Sequence, residues 1–204
     1  MKRFLIHLMT ATLAVVLLLT AASCTLGGGG IETIPQEETT AASVTNTPAA
    51  PADTSADTAP SEQDPDKAPD FTVLDATGRE VKLSDFFGKP IVLNFWASWC
   101  PPCKSELPDF EAAYKKYDGK VTFLMVNLTD NQRETTEVAQ SFIRSAGYTF
   151  PVYFDVNYQA ASAYGIRSIP QTYFINADGK PVAYATGMIT AAQLEEGIGM
   201  IYSE

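Results

Sequence analysis

The chain has 204 residues, 46% of them hydrophobic, which is room for one ordinary domain and additional segments. Its formal net charge of -10 is uneven: residues 25–66 hold eight Asp or Glu and no Lys or Arg, whereas residues 67–204 hold 12 basic and 16 acidic side chains. No basic patch or stripe is present, so nucleic acid is not expected as a partner. The single histidine, His7, lies in an N-terminal apolar run. A mature chain cut after that run has no Ser–His or Cys–His pair and lacks the commonest metal ligand.

Met1, Lys2 and Arg3 give a positive start, residues 4–20 are apolar, and Ala21, Ala22 and Ser23 are small residues directly before Cys24. This is the layout of a secretory signal, assigned to residues 1–23. The small residues before a cysteine resemble the bacterial lipoprotein box, with Ala21 where that box usually carries Leu. The resemblance implies a lipid on Cys24 and anchoring to the outer face of the cell membrane. An uncleaved signal anchor and plain secretion with a free Cys24 are the alternatives, and all three put the domain outside the cytoplasm. Residues 24–66 are rich in Thr, Ala, Pro, Ser and acids and lack aromatics. Such a segment buries too little apolar surface to offset its ordering entropy, so it is expected to be a disordered linker and spacer.

Residues 67–204 read as the domain. Residues 71–75 and 80–83 alternate apolar and polar around an Ala76-Thr77-Gly78 turn, a β-hairpin pattern. Residues 91–96 form a buried strand, and 101–117 carry Leu107, Phe110, Tyr114 and Tyr117 at helical spacing. Then follow a strand at 121–126, a helix at 135–146, a short strand at 151–154 and a short helix at 159–164. Strands at 172–175 and 181–185 flank an Ala177-Asp178-Gly179 turn, and a helix at 191–202 closes the chain. Strands alternating with helices before a final hairpin predict an α/β fold with a mixed sheet.

Cys100 and Cys103 form one C-x-x-C between the strand at 91–96 and the helix at 101–117. A zinc site would need two further ligands, and no second C-x-x-C or histidine pair is available. A purely structural disulfide over so short a loop would constrain the unfolded chain little. At a helix N-terminus, by contrast, a cysteine meets unpaired N–H groups and the positive dipole end, which favour thiolate. Cys100 is therefore read as the attacking sulfur and Cys103, one turn deeper, as the resolving one. Pro101 and Pro102 remove N–H donors near Cys100, which should make the couple more reducing. Glu106 shares a helix face with Cys103 and is in place to exchange its proton; an ordinary solvated glutamate is the alternative. Pro108 is expected to kink the helix by freeing the Lys104 carbonyl.

The run Phe95-Trp96-Ala97-Ser98-Trp99-Cys100-Pro101-Pro102-Cys103-Lys104 resembles the thioredoxin superfamily. With the hairpin before it, Glu106, Pro108 and Ile169-Pro170 ahead of a strand, the chain more closely resembles the extracytoplasmic TlpA/ResA-type thiol–disulfide oxidoreductases, in the AhpC/TSA–redoxin neighbourhood. The resemblance implies a thioredoxin-like fold with flanking helices and an N-terminal β-hairpin extension. It implies a redox-active Cys100–Cys103 disulfide, an active-site acid at Glu106, and a cis bond before Pro170 facing the cysteines. Trp99, Pro101, Pro102, Ile169 and Pro170 are the expected substrate-contacting residues. Many thioredoxins carry a buried Asp where this chain has Asn94, which leaves Glu106 or water as the proton carrier.

The expected activity is dithiol–disulfide exchange with disulfides of exported proteins, with apocytochrome c before haem attachment as one candidate client. The expected partners are those clients, an upstream membrane dithiol donor, and the membrane through the lipid; no cofactor and no metal is implied. A redoxin-like thiol peroxidase is the first alternative. It fits poorly, because the positions seven before Cys100 and Cys103 are Leu93 and Trp96 rather than proline. A non-catalytic tethered binding module is the second, opposed by the presence of both cysteines.

Overall fold

The computed structural model describes residues 30–34 and 64–203. The signal peptide expected at residues 1–23, Cys24 and most of the linker expected at 24–66 lie outside the described residues. Among the described residues no helix is long and apolar enough to cross a membrane.

The strands are β1 (Ile31–Thr33), β2 (Thr72–Leu74), β3 (Glu80–Lys82), β4 (Ile91–Trp96), β5 (Thr122–Asn127), β6 (Val152–Phe154), β7 (Gln171–Ile175) and β8 (Pro181–Thr186). The helices are α1 (Pro101–Lys116), α2 (Thr136–Ala146), α3 (Gln159–Ala163) and α4 (Ala191–Ile201). They follow the expected order, with one short 3-10 turn, Leu83–Phe86, that hydrophobic spacing did not announce. One sheet runs β1-β8-β7-β4-β5-β6-β2-β3. β4, β5 and β6 are parallel, β7 runs antiparallel to β4, and β8 runs antiparallel to β7, so the sheet is mixed as expected. The β2–β3 hairpin joins the far edge through Leu74 opposite Phe154.

Both faces of β4 are covered, so its apolar run has no polar alternation. Val92 and Trp96 point to one core with Leu107, Phe110, Phe174 and Leu194; Ile91, Leu93 and Phe95 point to the other with Phe71, Val126 and Ile175. The same period of two puts Asn94 on the face covered by α1. α4 lies close against the sheet at Gly197, where an added Cβ would clash with the Phe174 ring.

Part of the expected linker is ordered. Ile31 pairs with Ala185, Glu32 with Tyr184 and Thr33 with Ala183, and the Ile34 N–H continues the ladder to the Val182 carbonyl (2.9 Å). Ile31 packs on the core, and the Tyr184 hydroxyl donates to Glu32. The cause is the otherwise open edge of β8, whose backbone groups need partners. Three residues are too few to show a sequence period. The Lys180 ammonium also reaches back 3.0 Å to Asp66, fastening the start of the domain.

Candidate active site

β4 ends at Trp96, and a tight turn, with the Cys100 N–H bonded to the Ala97 carbonyl at 3.2 Å, delivers Cys100 to the N-cap of α1. Pro101 and Pro102 fill the first two helical positions with the fixed φ that suits them there. Neither has an N–H. The first amide of the helix that can reach Cys100 is that of Cys103, which donates to the Cys100 sulfur at 3.3 Å. The two cysteines are joined as a disulfide, with their Cα atoms 5.3 Å apart. Cys100 is 3% exposed and Cys103 is 0% exposed, so of the two residues only Cys100 has any access to solvent.

The Ile169–Pro170 bond is cis, at the entry to β7. The Ile169 carbonyl oxygen lies 3.7 Å from the Cys100 sulfur. A disulfide sulfur has no hydrogen to donate, so this is proximity rather than a hydrogen bond. Trp99, Cys100, Pro101, Pro102 and Ile169 line a surface groove of about 430 Å³. Pro170 is buried behind its wall. The remaining wall is formed by Leu128, Asp130, Tyr158, Ile166, Arg167 and Ser168. None of these six stood out in the sequence, because they sit in loops that have no hydrophobic period. Tyr158 carries one signal that only the backbone reveals: it is a non-glycine residue with φ of 55°, and its ring is exposed at the groove.

Glu106 is not a solvated helix glutamate. It is 1% exposed, on the inner face of α1 three residues after Cys103. Its Oε1 accepts from Asn94 Nδ2 at 2.9 Å, and its Oε2 accepts from the Ile189 N–H at 3.0 Å. Asn94 also donates to Thr172 Oγ1 at 3.0 Å. Burial pushes the Glu106 carboxyl up to about 7; the two hydrogen bonds pull the other way, and Asp109 adds to the rise. The neutral amide of Asn94 makes this arrangement possible, since it can donate to an ionised neighbour where a second carboxylate would repel it.

A second buried acid stands on the other side of the turn. Glu134, 0% exposed, accepts from the Ser98 N–H (2.7 Å), the Ser98 hydroxyl (2.6 Å) and Asn127 Nδ2 (2.6 Å). Its neighbour Arg133 places its guanidinium 4.2 Å from the centre of the Trp99 ring. No sequence signal marked either residue.

Residues 65–184 match the family model described as the AhpC/TSA family. The chain belongs to the AhpC/TSA family. Within it, the chain is 36% identical over 135 residues to the thiol-disulfide oxidoreductase ResA of Bacillus subtilis, covering 66% of this chain and 73% of that one. Among solved structures, it is similar to a putative thiol:disulfide interchange protein DsbE from Chlorobium tepidum, at 35% identity and a TM-score of 0.58, covering 65% of this chain and 93% of that one. It is also similar to StoA from Bacillus subtilis (31%, TM-score 0.56, covering 65% and 98%) and to the pneumococcal exposed lipoprotein thioredoxin Etrx1 of Streptococcus pneumoniae (31%, 0.54, covering 64% and 98%). This AhpC/TSA member is a ResA-type thiol–disulfide oxidoreductase with a thioredoxin-like fold.

Proposed function

We propose that the enzyme works as a reductase of disulfides in exported proteins, outside the cytoplasm, tethered through a lipid on Cys24. The observation that carries the reducing direction is the first turn of α1. With prolines at 101 and 102, the Cys103 N–H is the nearest helical amide donor to the Cys100 sulfur. A thiolate at Cys100 is then less stabilised than at a helix end with all its amides. A less stabilised thiolate makes the dithiol easier to oxidise.

In this reading the Cys100 thiolate attacks one sulfur of a client disulfide. The client S–S bond breaks, a mixed disulfide forms, and the departing client thiolate takes a proton. Glu106 accepts the proton of the Cys103 thiol, one helical turn away on the same face. The Cys103 thiolate attacks the Cys100 sulfur, the second client thiolate leaves, and the enzyme is left as the disulfide seen here. Two electrons have passed to the client, and an upstream membrane dithiol returns them. The groove between Trp99 and Ile169 receives the client segment, which pairs with the Ile169 backbone, since the Pro170 carbonyl already accepts from the Gly187 N–H. Apocytochrome c before haem attachment is one client that fits such an enzyme.

The tether reading draws support from the signal layout and from the lipoprotein named among the structural neighbours. Six residues, 25–30, separate Cys24 from β1. Fully stretched, they reach at most about 25 Å. A lipid on Cys24 would therefore hold the β1–β8 edge near the membrane, and the acidic segment before residue 64 would not act as a simple spacer. Mass spectrometry of the membrane fraction should find residues 1–23 removed and a lipid on Cys24; a soluble chain with Met1 retained would overturn it.

The reducing direction is tested by the midpoint potential of the Cys100–Cys103 couple in dithiothreitol or glutathione buffers. A value well below the roughly -180 mV of protein disulfide isomerase is expected. A value near the -120 mV or so of a strong oxidant would contradict it.

A further inference from the structure

We propose that Glu134 is a positioning residue, whose buried carboxylate ties the loop of residues 129–134 to the turn that carries Trp99 and Cys100 and so fixes the width of the client groove. This rests on the groove being the client site. The acid lies outside the proton chemistry assigned to Glu106. Its donors are one main-chain amide, one hydroxyl and one side-chain amide, at 2.7, 2.6 and 2.6 Å. Ser98, which supplies two of them, immediately precedes Trp99 and Cys100.

The far end of the link is equally defined. Asn127 is held by Thr129, whose hydroxyl donates to its Oδ1 at 2.9 Å. Asp130 folds the loop by accepting from the Glu134 N–H at 2.7 Å and the Gln132 N–H at 2.8 Å. Leu128 and Asp130 form one wall of the groove, and Trp99 and Cys100 stand across the turn that Glu134 holds. Arg133, next in sequence, covers the face of Trp99 from the same loop. One side chain thus connects both walls. A carboxylate suits the post because it only accepts, and every group facing it donates. Glutamine can replace it: one end still accepts, and the Ser98 hydroxyl can turn to accept from the other.

The test compares Glu134→Ala and Glu134→Gln in the full chain, with insulin as the protein disulfide and 5,5′-dithiobis(2-nitrobenzoic acid) as a small one. Glu134→Ala leaves buried donors unpaired and should raise the insulin KM by about tenfold. Its kcat on insulin, and its rate with the small disulfide, should stay within about twofold. Iodide quenching of tryptophan fluorescence should rise, and it reports Trp99, because Trp96 is 0% exposed. Glu134→Gln should restore both readouts. If Glu134→Ala does not fold, Arg133→Leu, at the surface, should still increase quenching and raise the insulin KM by about twofold to threefold. Ile166→Ser, elsewhere in the groove lining, checks the groove itself. An unchanged KM there overturns both readings. A raised KM there with wild-type kinetics in Glu134→Ala and Arg133→Leu overturns the positioning role alone, as would an equal fall in kcat on both substrates.

Discussion

Two glutamates flank the cysteine pair, both withdrawn from water, and they are built for different work. Glu106 projects from a helix into the interior and meets two donors, Asn94 and the Ile189 N–H. Two are too few to offset its desolvation, and its carboxyl is pushed up to about 7, where it can gain and lose a proton at neutral pH. Glu134 projects from a loop and meets three donors at 2.7 Å or less. Its lone pairs are committed to holding a turn in place. Burial alone therefore does not identify a catalytic acid; the number of donors offered to it separates a proton carrier from a strut.

The largest effect should come from removing the sulfurs that the two acids flank. Cys100→Ser should reduce insulin turnover to background, while Cys103→Ser should accumulate mixed disulfides with clients, read on non-reducing gels. If limiting iodoacetamide labels Cys103 of the reduced enzyme before Cys100, their roles are exchanged.

Next comes the stability of the oxidised enzyme. Glu106 has a folded value of about 7 against an ordinary 4.5. The favourable contribution is complete below pH 4.5 and is lost as pH rises through 7, because the unfolded chain releases the proton first. Wild type should lose on the order of 3 kcal/mol across that window relative to Glu106→Gln. Denaturant unfolding at pH 4, 6 and 8 would show it, and parallel curves for the two proteins would remove the distinction between the two acids.

How much of this was legible beforehand follows from range. The strands, helices and cysteine pair were readable because hydrophobic period and turn residues act locally. Glu106 was readable as a neighbour of Cys103, since residues three apart share a helix face. Its depth was not, because that depends on Ile189, 83 residues away. Glu134 was invisible for the same reason: its partner Ser98 is 36 residues off, and the loop between has no period to mark an inward side chain. β1 was missed because the demand for it comes from β8 rather than from its own three residues.

Asn94→Asp sharpens the comparison by placing a second carboxyl against Glu106. The pair should share one proton, moving the Glu106 transition up by roughly one unit or more, and the loss of stability should shift to higher pH. A transition at the wild-type position would mean that Asn94 does not face the acid in solution. The smallest effect is expected at Ser98→Ala, which removes one hydroxyl donor from Glu134 and keeps the amide. It should cost about 1 kcal/mol in chemical denaturation; an unchanged stability would mean that the hydroxyl does not hold Glu134 in solution.

The most direct measurement is the single-turnover rate of mixed-disulfide resolution between pH 5 and 9, in wild type, Glu106→Gln and Glu134→Gln. Wild type should show a rise in rate through pH 7, as Glu106 becomes able to accept the Cys103 proton. Glu134→Gln should keep that rise, and Glu106→Gln should lose it, leaving resolution slow until hydroxide deprotonates Cys103 at higher pH. Three superimposable profiles, or loss of the rise in Glu134→Gln alone, would contradict the assignment of Glu106 as the proton acceptor.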